Sequence, residues 1–173
     1  LELANQYPGA QGIGFLQLVK HDQKDAFISN LREGGAKDFN IWPNQDQNDY
    51  FPVVYVEPLD GRPVLDTGFD MQSDPVRAAA MRDTGLPAAT AKLMLRGVNG
   101  QPAEPGFLIL APIYQNDRTP RTEPERREAL SGFVYSQFRA ADFVKSVLAI
   151  KNTSDINLRL YDGPAALNEN LLA

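Results

Sequence analysis

The chain has 173 residues, a size that suits one domain or two small subdomains sharing a core. It is 43% hydrophobic and 23% charged, which excludes a disordered chain, and its net charge of −5 argues against nucleic acid as a partner. It has no cysteine, which removes a thiol nucleophile, a zinc–cysteine site, an iron–sulfur cluster and a disulfide framework. No run approaches the ~18 apolar residues of a membrane span. The first residue is Leu1 rather than Met, so the sequence reads as an excised fragment without its targeting elements.

In chain order, Tyr7-Pro8-Gly9 to Gly12 is turn chemistry, and Ile13 to Val19 is a first apolar strand. Asp22 is placed to cap a helix whose apolar face holds Phe27, Ile28 and Leu31 and which stops at Gly34-Gly35. Phe39 to Trp42 alternates like a short strand ended by Pro43, and Asn44 to Asp49 is polar loop. Tyr50 to Val56 is a dense apolar strand, followed by a turn at Pro58, Asp60, Gly61 and Pro63. Val64 to Asp70 leads to Ser73-Asp74-Pro75, a helix start with a Ser cap, an acidic first turn and a first-turn proline. Val76, Ala79, Ala80 and Met81 line one side of that helix, and Gly85-Leu86-Pro87 stops it.

Residues 89–96 and 106–114 read as two strands joined through the Gly/Pro/Asn-rich link Gly97 to Pro105. A short helix over 123–130, a strand over Gly132 to Phe138, a helix over Ala140 to Leu148 and a last strand over Ile156 to Tyr161 complete the series. Arg118, Arg121, Arg126 and Arg127 are interrupted by Glu123, Glu125 and Glu128, which predicts a solvated, charge-mixed helix face. The mixed order, with hairpins between helices, implies an α+β class with antiparallel sheets, PAS-like in architecture.

Catalytic chemistry is hard to assemble from these residues. His21 is the single histidine, at a strand-to-helix junction, and reads as a surface or capping residue. Gly9, Gly12 and Gly14 precede a strand, the wrong context for a dinucleotide loop. Asp66 and Asp70 are four apart and form a glycosidase pair only in principle, while Asp74 is explained by the dipole of the helix it starts. No catalytic residue, metal site or cofactor is expected.

A resemblance then emerges from an ordered set of motifs. Tyr50-Phe51-Pro52-Val53-Val54-Tyr55-Val56-Glu57-Pro58 is followed by Thr67-Gly68-Phe69-Asp70-Met71 and by Ser73-Asp74-Pro75-Val76-Arg77-Ala78-Ala79. Arg82-Asp83-Thr84-Gly85 and Gly106-Phe107-Leu108-Ile109-Leu110-Ala111-Pro112-Ile113-Tyr114 come next. Tyr7-Pro8-Gly9 through Phe15, and Gly132-Phe133-Val134-Tyr135 with Phe143-Val144, agree on the flanks. Together they resemble the CHASE domain, the extracytoplasmic sensor of bacterial histidine kinases, diguanylate cyclases and plant cytokinin receptors.

The resemblance implies two PAS-like subdomains after a long N-terminal helix that is missing or truncated here. The distal, ligand-holding subdomain would span about 39–114, and the proximal one about 1–38 plus 115–173. It implies a small-molecule ligand, a membrane-anchored full-length protein with a kinase or cyclase output, a periplasmic or extracellular location, and a homodimer through flanking helices. In the cytokinin receptors a pocket aspartate on the strand resembling Tyr50–Pro58 binds the adenine ring. The aligned position is Pro58 here, which cannot make that bond; Glu57 substitutes only if the strand carries a bulge, since alternation sets it opposite Val54 and Val56.

The candidate ligand-binding residues are therefore Val54, Tyr55, Val56, Glu57 and Pro58, with Leu93, Leu95 and Leu110 as further apolar walls that would otherwise be core. Trp42 and Tyr55 offer rings that stack on a planar ligand or fill the core. The expected function is a ligand-sensing input domain. The alternative is a dimerisation or protein-interaction module without a small-molecule ligand, with a hydrolase as a residual third reading.

Overall fold

The computed structural model describes residues 9–59, 67–82, 86–96, 102–115, 120–150 and 157–173. Its elements in chain order are β1 (Ala10–Gln17), β2 (Val19–Lys20), α1 (Lys24–Glu33), β3 (Asp49–Tyr50) and β4 (Val53–Pro58). Then come α2 (Pro75–Arg82), β5 (Ala88–Ala89), β6 (Leu93–Leu95), β7 (Glu104–Tyr114), α3 (Glu123–Ala129), β8 (Leu130–Arg139) and α4 (Ala140–Ile150). Short 3-10 turns precede α1 at His21–Gln23 and α2 at Met71–Ser73. The α+β class holds.

The main sheet has six strands in the order β4-β1-β8-β7-β5, with β6 also paired to β7, and every pairing is antiparallel. β2 and β3 form a separate two-stranded ribbon. The pairing runs across the boundaries implied for distal and proximal subdomains: β4, β6 and β7 lie in the same sheet as β1 and β8. Alternation decides the two faces. Leu16, Leu108, Leu110, Phe133 and Tyr135 are buried on one face, where Met71 and Met81 of the 3-10 turn and α2 cover them. A second, smaller cluster packs Ile28, with Phe27 and Leu31, against Val19, Phe39, Ile41 and Tyr50.

Four expectations are corrected. Phe39 to Trp42 is not a strand: Phe39 and Ile41 are buried and alternate as one would, but Trp42 makes only an isolated bridge to Phe69. Without a continuous neighbour the alternation has no ladder to join. The apolar run from Tyr50 to Val56 is two strands, because β3 pairs with β2 while β4 pairs with β1, and Pro52 between them has no N–H to extend a ladder. Ile156 lies outside the described residues, and 157–160 form no strand; instead Leu160 exchanges backbone bonds with Ala173 and Leu172, and Tyr161 bridges Leu171.

The fourth correction concerns caps. Asp22 does not cap α1, which continues from its 3-10 turn with no side-chain cap bond. At α2 the cap stands one residue later than the sequence suggests: Asp74 Oδ1 accepts from the N–H groups of Val76 (3.0 Å) and Arg77 (2.9 Å), while the Ser73 hydroxyl donates to Asp70 O. The aspartate wins because a charged acceptor is the stronger partner for free helix N–H groups. Asp60 to Asp66, Asp83 to Gly85, Gly97 to Gln101 and Arg118 lie outside the described residues.

α3 has a reciprocal capping box. Thr122 Oγ1 accepts from Glu125 N, and Glu125 Oε2 accepts from Thr122 N (3.1 Å) and Arg121 N (2.8 Å). These bonds hold the Glu125 carboxyl below its ordinary range, so its contribution is present at neutral pH and lost as pH falls through that lowered value. Thr122→Ala is expected to cost about 1 kcal/mol, the usual size of a lost N-cap. Urea unfolding of the two proteins checks it, and equal midpoints would show that the box adds nothing. Arg127 pairs with Glu123 at 2.7 Å in an exposed i,i+4 contact, as the charge-mixed face predicts.

Candidate ligand site

The eight candidate ligand residues divide between the two sides of the sheet. Leu93, Leu95 and Leu110 are buried on the core face, and Val56 packs against the same cluster. Leu95 lies over Gly106, where a Cβ would stand 2.3 Å from Leu95 Cδ1 and 2.4 Å from Phe138 O, so this position takes glycine for close approach. Val54 is half-buried and outside the cluster. The register irregularity in β4 lies at Val54, opposite the Phe15/Leu16 step.

That irregularity does not bring Glu57 inward. Tyr55 is 59% exposed on the outer face, and its hydroxyl donates to Glu57 Oε2 at 2.7 Å, a bond that also raises the phenol pKa. Pro58 is exposed beside them, paired in register with Gly12. Tyr55, Glu57 and Pro58 therefore stand apart from Val56, Leu93, Leu95 and Leu110. Trp42 is half-buried, its ring against Phe69 (4.8 Å between centroids) and its indole N–H donating to Thr67 O.

Sequence reasoning missed the residue that organises the rim of the core face. Asp70 has no exposed surface, yet it bears a carboxylate. Its Oδ1 accepts from Phe51 N (2.7 Å) and Gln72 N (3.1 Å), and its Oδ2 accepts from Gln47 Nε2 (2.8 Å). Burial pushes this carboxyl above its usual value; the three donors and the charge of Lys24 pull it back without cancelling the effect. One side chain thus ties the 43–48 loop, the β3–β4 link and the segment that covers the core. The signal was its place inside Thr67–Met71, an acid in an apolar motif. Its proposed mate Asp66 lies outside the described residues.

A polar cleft of about 340 Å³ opens on the far side of Gln47, lined by His21, Lys24, Asp25, Asn44, Gln45, Asp46 and Tyr50. His21 is exposed, as expected, with Nδ1 3.0 Å from Gln47 O and 3.1 Å from Asp46 Oδ1. Lys24 Nζ donates to Asn44 Oδ1 and stands 4.6 Å over the Tyr50 ring. Among the described residues no group of three or more His, Cys, Asp or Glu is arranged to hold a metal ion.

A family model described as the CHASE domain matches residues 1–173, the whole chain. The chain belongs to the CHASE domain family. No curated protein matches it. CHASE domains are extracytoplasmic sensory domains of receptors and are not catalytic, so this CHASE domain has a sensing input role. No helix among the described residues is long and apolar enough to cross a membrane.

Proposed function

We propose that this CHASE domain is the ligand-sensing input of a transmembrane receptor with a histidine-kinase or diguanylate-cyclase output. In this reading a small molecule is received between the apolar face that Val56, Leu93, Leu95 and Leu110 build and the segment 69–82 above it. The observation that carries the reading is the way this cover is held. Met71 and Met81 touch the sheet with unbranched, adaptable side chains, and the cover is pinned at its start by the buried carboxylate of Asp70. In this reading a ligand that prefers one packing of the cover over another shifts the population between them.

A thermal-shift screen of adenine derivatives, amino acids and small carboxylates tests it. A true ligand at 100 times its Kd stabilises by about 2.7 kcal/mol, which moves the midpoint by roughly 5–10 °C in a domain of this size. The shift should vanish in Leu93→Phe, provided circular dichroism shows that variant folded. No shift with any compound, together with native mass spectra free of bound small molecules, sinks the reading. The alternative, an interaction module without a small-molecule ligand, is favoured by one observation: Tyr55, Ile109 and Val134 stay exposed on the other face of the sheet.

A further inference from the structure

The polar cleft beside Gln47 holds two opposite charges that no ion pair takes up. Lys24 Nζ donates to Asn44 Oδ1 at 3.2 Å and stands 4.6 Å over the Tyr50 ring, with no carboxylate paired to it among the described residues. Its charge is felt at Asp70, but that carboxylate already accepts from Phe51, Gln72 and Gln47. An ammonium carries three N–H donors, so two remain for a further acceptor. Asp25 follows Lys24 on α1 and makes no hydrogen bond or ion pair among the described residues, so its carboxylate keeps its acceptor sites. Both side chains line the same space of about 340 Å³, at the small end of the ~300–1,000 Å³ usual for ligand clefts.

The walls of this space are held in place by bonds of the fold itself. The His21 N–H donates to Asn48 O at 3.0 Å, and His21 Nδ1 lies 3.0 Å from Gln47 O, which joins the start of α1 to the 43–48 loop. The Gln47 N–H donates to the Tyr50 hydroxyl at 3.2 Å, and Tyr50 is 1% exposed, so the loop rests on a buried ring. Gln47 Nε2 donates to Asp70 Oδ2 on the other side. A cleft whose walls are fixed in advance spares an occupant the cost of ordering them.

Charge decides the class of that occupant. A bare anion drawn to Lys24 meets Asp25 and Asp46, and a bare cation drawn to these carboxylates meets Lys24. No cluster suited to a metal ion is present among the described residues. A small molecule that carries both signs satisfies each group. We infer that this cleft is a second ligand site, which takes a free α-amino acid with its carboxylate on Lys24 and its ammonium group on Asp25. The Asn44 and Gln45 amides beside them each offer a donor and an acceptor to the rest of the molecule. The site shares no residue with the apolar face of Val56, Leu93, Leu95 and Leu110, and it does not depend on the ligand proposed there.

Isothermal titration calorimetry of the purified chain with each of the common free α-amino acids tests it. At least one is expected to bind. Its decarboxylated amine and its deaminated acid should each bind the parent protein tenfold or more weakly, because each lacks one charge-assisted hydrogen bond. Lys24→Gln and Asp25→Asn should weaken the amino acid by a similar factor, with circular dichroism checking that both variants fold. If no amino acid binds, the proposal is overturned. An amino acid that binds no better than its amine or its acid, or that is indifferent to both substitutions, overturns it equally.

Discussion

Asp70→Leu is expected to lower the unfolding free energy by about 2–5 kcal/mol, because leucine leaves the buried Phe51 N–H and the part-buried Gln72 N–H and Gln47 amide without this acceptor. That is a large share of the ~5–15 kcal/mol by which a domain is stable, so little folded protein should remain at physiological temperature. Asp70→Asn keeps one acceptor and should cost about 1–2 kcal/mol. The pH dependence has a definite sign. Burial raises the folded-state pKa above the ordinary 3.8, so the folded protein holds this proton more tightly than the unfolded chain does. The resulting stabilisation is complete below the ordinary value and is lost as pH rises through the folded one. The advantage of the parent protein over Asp70→Asn should therefore be largest in acid and shrink toward neutrality. Denaturant titrations at a series of pH values measure that gap, and a gap that widens with pH would show that the donors outweigh burial.

Phe133→Ala should remove about 3–5 kcal/mol. Phe133 is 1% exposed at the centre of the core face and meets Phe51 edge-on at 5.5 Å, so truncation leaves a cavity under the same residue whose N–H Asp70 holds. At 2–4 °C per kcal/mol the melting midpoint should fall by roughly 6–20 °C. Val134→Ala, one position along β8 on the outer face, should cost no more than about 1 kcal/mol in the isolated fold. Melting curves by circular dichroism separate the two, and comparable losses would mean the assigned faces are wrong.

Much of the fold was legible because local pattern and tertiary role agree. β7 and β8 alternate in burial through their central residues, and their register joins Leu108, Leu110, Phe133 and Tyr135 on one side of the sheet. α1 shows its apolar stripe, and α2 its first-turn proline and the core positions Val76, Ala80 and Met81, whereas Ala79 of the expected apolar side is exposed and Ala78 is buried in its place. The errors have a common cause. Phe39–Trp42 alternates correctly but has no strand beside it, and Tyr50–Val56 is continuous in hydrophobicity but divided between two sheets. Pairing partners are non-local, so a strand's neighbour cannot be read from the strand. The candidate site was half legible for the same reason. The apolar walls Leu93, Leu95 and Leu110 were visible as strand residues, whereas Asp70 looked like any surface acid until Gln47 and Phe51 from distant segments, with Gln72 beside it, met on it.

By itself the sequence determined the class, the positions of most elements, the alternation that separates the faces, and, through the order of its motifs from Tyr50 to Tyr114, membership of the CHASE family. The tertiary structure alone decided which way the strand with Tyr55 and Glu57 presents its polar side. The register of β4 against β1 turns both outward, away from the apolar walls, because successive strand residues point to opposite faces and the irregularity lies before Tyr55 rather than after it. It also decided that an acid is buried at Asp70 and that part of the outer face stays open. Burial and exposure are properties of what packs against a residue, and no stretch of chain contains its own neighbours.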